Sequence, residues 1–156
     1  RRQRQMCIRD RNKDFIIDEK QIIRARNAGA TVILLIVAAL SEERLKELYD
    51  YATELGLEVL VETHNLAELE VAHRLGAQII GVNNRNLTTF EVDLQTSVDL
   101  AQYFKDDCFY ISESAIFTEA DAKRVAPCFN GILVGTALMQ AEDVAQRIKE
   151  LQIDKG

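Results

Sequence analysis

Five short apolar runs recur along this chain, and each gives way to a segment with helical spacing. The runs are "TVILLIV" (31–37), "LEVLVE" (57–62), "QIIGV" (78–82), "CFYIS" (108–112) and "GILVG" (131–135). They are β-branched and too short for helices, and Gly or Ser residues bound several of them. Strands buried on both faces and alternating with helices specify a parallel sheet joined by right-handed crossovers. The fold class is α/β.

The helical segments carry their own start and stop signals. In "SEERLKELYDYATELG" (41–56), Leu45, Leu48, Ala52 and Leu55 share a face, Ser41 caps, and Gly56 ends the helix. "DEKQIIRARNAG" (18–29) opens on Asp18 with Gln21 three residues later, and "NLAELEVAHRLG" (65–76) opens on an Asn65…Glu68 capping box and closes on Gly76. Further helices are expected near 94–104, from Thr118 to about Ala126, and near 141–151.

At 156 residues the chain is long enough for one domain with a substantial core. No apolar run approaches the roughly 18 residues of a membrane span, and no signal peptide is evident, so a cytoplasmic protein with no membrane partner is expected. The net charge of −6 argues against nucleic acid. Cys7, Cys108 and Cys128 show neither paired nor metal-ligand spacing. Residues 1–11, "RRQRQMCIRDR", hold five Arg against one Asp (+4), so residues 12–156 carry −10. The first 11 residues read as a basic extension, disordered or foreign, ahead of a domain over 12–156.

Parallel α/β folds place their chemistry at the carboxyl ends of the strands. Here those ends carry Glu62, then Asn83 and Arg85, then Ser112, Glu113 and Ser114, then Gly135 and Thr136. A carboxylate, an amide, a guanidinium, hydroxyls and a glycine would thus meet on one rim. Each also has a plainer reading: Glu62 as a solvated strand end, Asn83 to Asn86 as a turn, Ser114 and Thr136 as helix caps. His64 and His73 read as structural or surface residues, since neither has a second ligand at metal spacing.

At these residues the sequence resembles the indole-3-glycerol phosphate synthase family. The carriers are "KDFIID" (13–18), "ILLIVAAL" (33–40), "LVETH" (60–64), "IIGVNNRNLTTFEVD" (79–93), "SESAI" (112–116) and "ILVGTALM" (132–139). The resemblance implies a (β/α)8 barrel, here a partial one holding strands four to eight with the third strand disrupted. It implies ring closure, decarboxylation and dehydration of 1-(2-carboxyphenylamino)-1-deoxyribulose 5-phosphate, with no metal or other cofactor. It assigns Lys13 as general acid, Glu62 as general base or cation stabiliser, and Asn83 and Arg85 as substrate-orienting residues. Phe15 and Leu34 would pack on the aromatic ring, while Ser114, Ala115, Gly135 and Thr136 would hold the phosphate.

Two departures accompany the match. Ala115 stands where the family has glycine, so a methyl would crowd the phosphate or force an uncommon backbone angle. The segment before Lys13 reads "IRDRN", which is too charged for an ordinary barrel strand. A (β/α)8 barrel needs at least about 200 residues, so the first two βα units are expected to be missing and the open sheet edges to favour self-association. Rival readings are another phosphate-binding barrel enzyme and a non-catalytic partial barrel serving as a binding or assembly module.

Overall fold

The six strands of the sheet are all parallel and lie side by side in chain order. They are β1 (Asp10–Asn12), β2 (Ala30–Ile36), β3 (Glu58–Thr63), β4 (Ile79–Asn83), β5 (Phe109–Glu113) and β6 (Gly131–Leu133). Helices alternate with them: α1 (Glu19–Asn27), α2 (Glu42–Glu54), α3 (Leu66–Leu75), α4 (Gln95–Leu100), α5 (Glu119–Val125), α6 (Thr136–Met139) and α7 (Val144–Leu151). The computed structural model describes residues 10–153. The result is a curled half-barrel with flanking helices, as the alternating pattern requires.

The two faces of the sheet differ because side chains alternate along each strand. Ile33, Leu35, Val59, Val61, Ile80 and Val82 point outward and join the helices in the main core. Leu34, Ile36 and Leu60 form a second apolar cluster with Val32, Ile79 and Ile111 on the inner face. Parallel register then stacks the inner face in layers. Leu34 pairs with Leu60 and Leu60 with Ile79; one layer higher, Ile36 pairs with Glu62 and Glu62 with Gly81; above these, Asn83 pairs with Glu113. Apolar residues therefore form the floor, and polar residues begin at the carboxyl end.

Capping follows the sequence in most places. Asp18 and Thr118 each open their helix with a reciprocal capping box, and Ser41 accepts from the Arg44 amide. The Asn65…Glu68 box is only half formed. Asn65 accepts from the Glu68 amide, but Glu68 binds the His64 amide and the Asn65 side chain instead of the Asn65 backbone. A carboxylate drawn toward His64 leaves the second half of the box unmade. The final expected helix is two: α6 begins directly at Thr136, and α7 follows after Asp143.

The charge of residues 1–11 predicts that they form no regular third strand; Asp10 and Arg11, the two of them that the structure describes, pair with β2 across a register break. The strand is short and irregular, as a disrupted third strand should be. Arg11 is tolerated because it reaches the inner face, where Glu62 and Glu113 both feel its charge. Buried ions persist when opposite charges face them. Arg9, Cys7 and the rest of 1–9 lie outside the described residues. Among the described residues no helix is long and apolar enough to cross a membrane.

Candidate active site

Parallel pairing brings Glu62, Asn83 and Glu113 to the same end of adjacent strands. Glu62 is 5% exposed and Glu113 is 3% exposed. Asn83 Nδ2 donates to Glu62 Oε1 at 3.1 Å, and Asn83 Oδ1 accepts from the Arg85 amide at 3.0 Å. One amide thus orients both a buried carboxylate and the start of the next loop.

The amide-rich segment after β4 divides its labour. Asn84 is buried and stitches the loop to β5: its Nδ2 lies within bonding distance of Ser112 Oγ, the Glu113 carbonyl and the Ser114 carbonyl. Its Oδ1 accepts from the Ser97 amide at 2.9 Å. Asn86 Oδ1 accepts from the Thr88 and Thr89 amides, which makes it the turn residue. Arg85, half-buried, donates from Nη1 to the Phe90 carbonyl at 3.3 Å. A plain turn needs only Asn86; the other three residues tie strands together or border cavities.

Arg85 stands between two cavities. The larger, about 470 Å³, is lined by His64, Glu68, Asn83 and the 84–88 loop among others. The smaller, about 240 Å³, is lined by Arg85, Ser114, Ala115, Gly135 and Thr136, with apolar Leu133 and Val134 beneath. A Cβ on Gly135 would meet nothing within 4 Å, so this backbone borders open space. Gly135 is also the N-cap of α6, where the first helical amides lack intrahelical acceptors. Ser114 and Ala115 both have positive φ, 65° and 58°. Two successive residues in the left-handed region store strain of about 1–3 kcal/mol each, and at Ala115 a glycine would adopt that angle freely.

The other sequence-derived candidates sit around this rim. Lys13 and Phe15 follow β1 in an exposed loop, and Phe15 is 63% exposed. That loop is fastened from behind: Gln21 Nε2 donates to the Phe15 carbonyl, and Arg44 donates to the Ile17 carbonyl while pairing with Glu19. Leu34 is buried in the inner apolar cluster, one layer below Glu62. Lys13, Glu62, Asn83, Arg85, Ser114, Ala115, Gly135 and Thr136 therefore all follow or end strands on one side of the sheet, with Leu34 in its floor.

Two residues outside that set join the site. Glu113 is visible in the sequence at a strand end, but nothing there shows that its side chain lies inside against Glu62. His64 reads as a structural histidine; its ring lies between Glu62 Oε1 at 3.1 Å and Glu68 Oε2 at 2.9 Å. The Nε2 approach to Glu62 is an ion contact whose angle falls short of a hydrogen bond. The spacings Glu62…His64, two apart across the end of β3, and His64…Glu68, four apart entering a helix, are the signals that could have found it.

Burial would raise the Glu62 carboxyl, but His64, Asn83 and the charge of Arg11 hold it below the ordinary range. Glu113 moves the other way. Burial first, and the Glu62 charge second, push it up to about 8 against the pull of Arg11. Its Oε1 is buried with no partner besides the neighbouring carboxyl. Two carboxyls this close share one proton, and it resides on Glu113. Burial disfavours charge on His64, yet Glu62 and Glu68 outweigh it and raise the imidazole to about 9.

These shifts set a pH dependence of stability. Between pH 6.5 and 9 the folded chain keeps protons that the unfolded chain has released: one on Glu113 up to about 8 (4.5 unfolded) and one on His64 up to about 9 (6.5 unfolded). The native state binds more protons there, so stability must fall as pH rises. After discounting for solvent screening, the expected loss is on the order of 2 kcal/mol, or ~4–8 °C in Tm. Thermal melts across that window check the sign; a melting temperature that rises toward pH 9 would contradict it.

Comparison with known proteins bears on what this rim belongs to. The family model for indole-3-glycerol phosphate synthase matches residues 2–151. An indole-3-glycerol phosphate synthase of Streptococcus pneumoniae strain Hungary19A-6 is 92% identical over 145 residues, which is 93% of this chain and 57% of that protein. The proteins of the same name from strains CGSP14 and 70585 are 91% and 90% identical over the same length and coverage. The chain thus spans a little over half the length of these relatives. With a parallel half-barrel and a match running almost from end to end, the chain belongs to the indole-3-glycerol phosphate synthase family.

Proposed function

We propose that this chain carries the carboxyl-terminal part of an indole-3-glycerol phosphate synthase site, a cytoplasmic carbon–carbon lyase of tryptophan biosynthesis. The substrate is 1-(2-carboxyphenylamino)-1-deoxyribulose 5-phosphate, and the product forms by ring closure, loss of carbon dioxide and loss of water. The observation that carries this reading is the buried pair of Glu62, ionised, and Glu113, protonated, at the mouth of the sheet. Divergent carboxyls supply a base and an acid in one place.

The remaining roles are those that the family resemblance implies, and the placement of the residues supports them. Lys13, on its exposed loop, serves as the general acid for the departing hydroxyl. Arg85 offers a planar guanidinium to the anthranilate carboxylate, and Asn83 orients the substrate beside Glu62. The smaller cavity takes the phosphate against the backbone of Ser114, Ala115, Gly135 and Thr136. Phe15 and the inner apolar cluster around Leu34 supply the aromatic contact.

The test joins this chain to the amino-terminal portion of a pneumococcal relative and follows product fluorescence. The joined protein should turn over substrate, and Lys13→Ala should lower its kcat by ~10²–10⁴-fold. The 156-residue chain alone should be slower than the joined protein by at least about 10²-fold. A joined, folded protein with no activity would refute the assignment.

The same chain alone should self-associate. In the described sheet β1 and β6 are edges, and Phe15, Phe109 and Met139 are exposed. Unpaired edges beside apolar side chains template further pairing. Sedimentation should show a dimer or larger species at micromolar concentration, with a second copy as the partner. A monodisperse monomer would count against it.

A further inference from the structure

His64 occupies the link between β3 and α3, and everything around it is arranged to hold the ring. Its own amide donates to Glu68 Oε2 at 2.8 Å, and Nδ1 meets the same oxygen at 2.9 Å. Glu68 is itself anchored, since Asn65 Nδ2 donates to its Oε1 at 2.7 Å. The other ring nitrogen, Nε2, approaches Glu62 Oε1 at 3.1 Å. The His64 side chain is 11% exposed. A histidine that merely linked a strand to a helix would have no need to turn Nε2 inward onto a buried carboxylate.

We propose that His64 is a positioning residue: gripped by Glu68 on one ring nitrogen, it holds Glu62 by the other and fixes which carboxylate oxygen is left for substrate. This rests on the function proposed above. Asn83 Nδ2 converges on the same Glu62 Oε1 from the neighbouring strand, so two groups meet Oε1. Oε2 carries neither contact and is the oxygen that can accept a proton. An imidazole that meets a carboxylate at each nitrogen carries a proton on both, and so attracts both, only when it is the cation. That cation keeps Glu62 an anion and confines the shared proton to Glu113.

The charged groups facing this cluster come from every element packed on it. They are Arg11 from β1, Glu62 from β3, Glu68 from α3 and Glu113 from β5. Arg11 and His64 are the cations, and three carboxyls answer them, one of them protonated. Removing His64 leaves Arg11, which reaches the inner face from β1, as the cation of the set acting on Glu62. Glu62 should then bind its proton more tightly and lose its fixed orientation.

Ring-nitrogen and carboxyl-carbon NMR titrations of the 156-residue chain test this directly, because the sequence has only two histidines. His64 should remain an imidazolium at pH 7, and Glu62→Gln and Glu68→Gln should each lower its titration by about one pH unit or more. His64→Gln should raise the Glu62 titration by a similar amount. Titration of His64 at or below its ordinary value, or a Glu62 signal indifferent to His64→Gln, would overturn the proposal. Glu68→Gln leaves the ring in place, so it decides the question even where a His64 variant folds poorly.

A second arm uses the protein completed with the pneumococcal amino-terminal portion. His64→Ala should lower kcat by ~10–10²-fold with little change in KM and move the acid limb of the rate profile upward. His64→Gln, which keeps an N–H but no charge, should recover part of the rate while the limb stays displaced. Unchanged kcat and an unmoved limb would refute the positioning role. Absence of any product in the completed parent would instead refute the function, while the titrations would still decide the His64–Glu62 coupling.

Discussion

Glu62→Gln in the completed barrel is expected to lower kcat by ~10²–10⁴-fold with the fold intact. Glutamine keeps the shape and can still meet Asn83, but it cannot hold negative charge or take a proton. The pH profile should change with it. In the parent, Glu62 is held below the ordinary carboxyl range, so the base we propose would be ready from mildly acid pH upward. The alkaline limb should fall near pH 8, where Glu113 gives up its proton and two anions face each other. In the variant the repelling charge is gone, so Glu113 should ionise at lower pH and the limb should shift down. Product fluorescence against pH, beside a thermal melt, separates these effects from unfolding. A variant of full rate would mean that Glu62 is only a structural carboxylate.

Gly81→Ala should be nearly as damaging to turnover while costing little stability. Gly81 lies between Glu62 and Ile111 in the register, on the inner face. A Cβ there would overlap Glu113 Oε1, reach Glu113 Cδ at 3.0 Å and crowd Leu60 Cδ1 at 3.3 Å. The most obstructed atoms are the far end of one side chain, so the backbone need not move. The carboxyl must. Displacing a catalytic group by about 1 Å costs on the order of 10²-fold in rate, whereas the melting temperature should shift by no more than a few degrees. The Glu113 carboxyl titration should also move from about 8 toward the ordinary range. Full activity with an unmoved titration would show that the space over Gly81 is not reserved for Glu113.

Both expectations depend on a glycine that has no evident role in the sequence and a glutamate that the sequence marks only as one of several strand-end residues. Gly81 sits in a strand with no turn to explain it, and Glu113 follows an apolar run as many solvated residues do. Their relation is fixed by strand register, which pairs β4 with β5 and points both positions inward. Register arises from packing of the outer face, where Ile80 and Val82 meet the helices. No local pattern states how far a strand 30 residues away will slide.

The sequence by itself determined the period, and with it the architecture. Short β-branched runs alternating with capped amphipathic helices can bury both kinds of face only in a parallel sheet with helices outside. The family motifs, Lys13 to Asp18 and the Asn83…Arg85 pair among them, fell at strand ends because sheet topology puts loops there. Ala115 could be flagged as a strained position because the resembled family has glycine there, and its positive φ agrees. What only the tertiary structure decided was charge. Arg11 enters the sheet because Glu62 and Glu113 stand opposite it, and Glu68 abandons a capping box because His64 draws it away. Glu62 stays ionised while Glu113 does not, although both are glutamates at the ends of apolar strands. Protonation depends on the distance to other charges and to water, and those distances exist only once the strands are side by side.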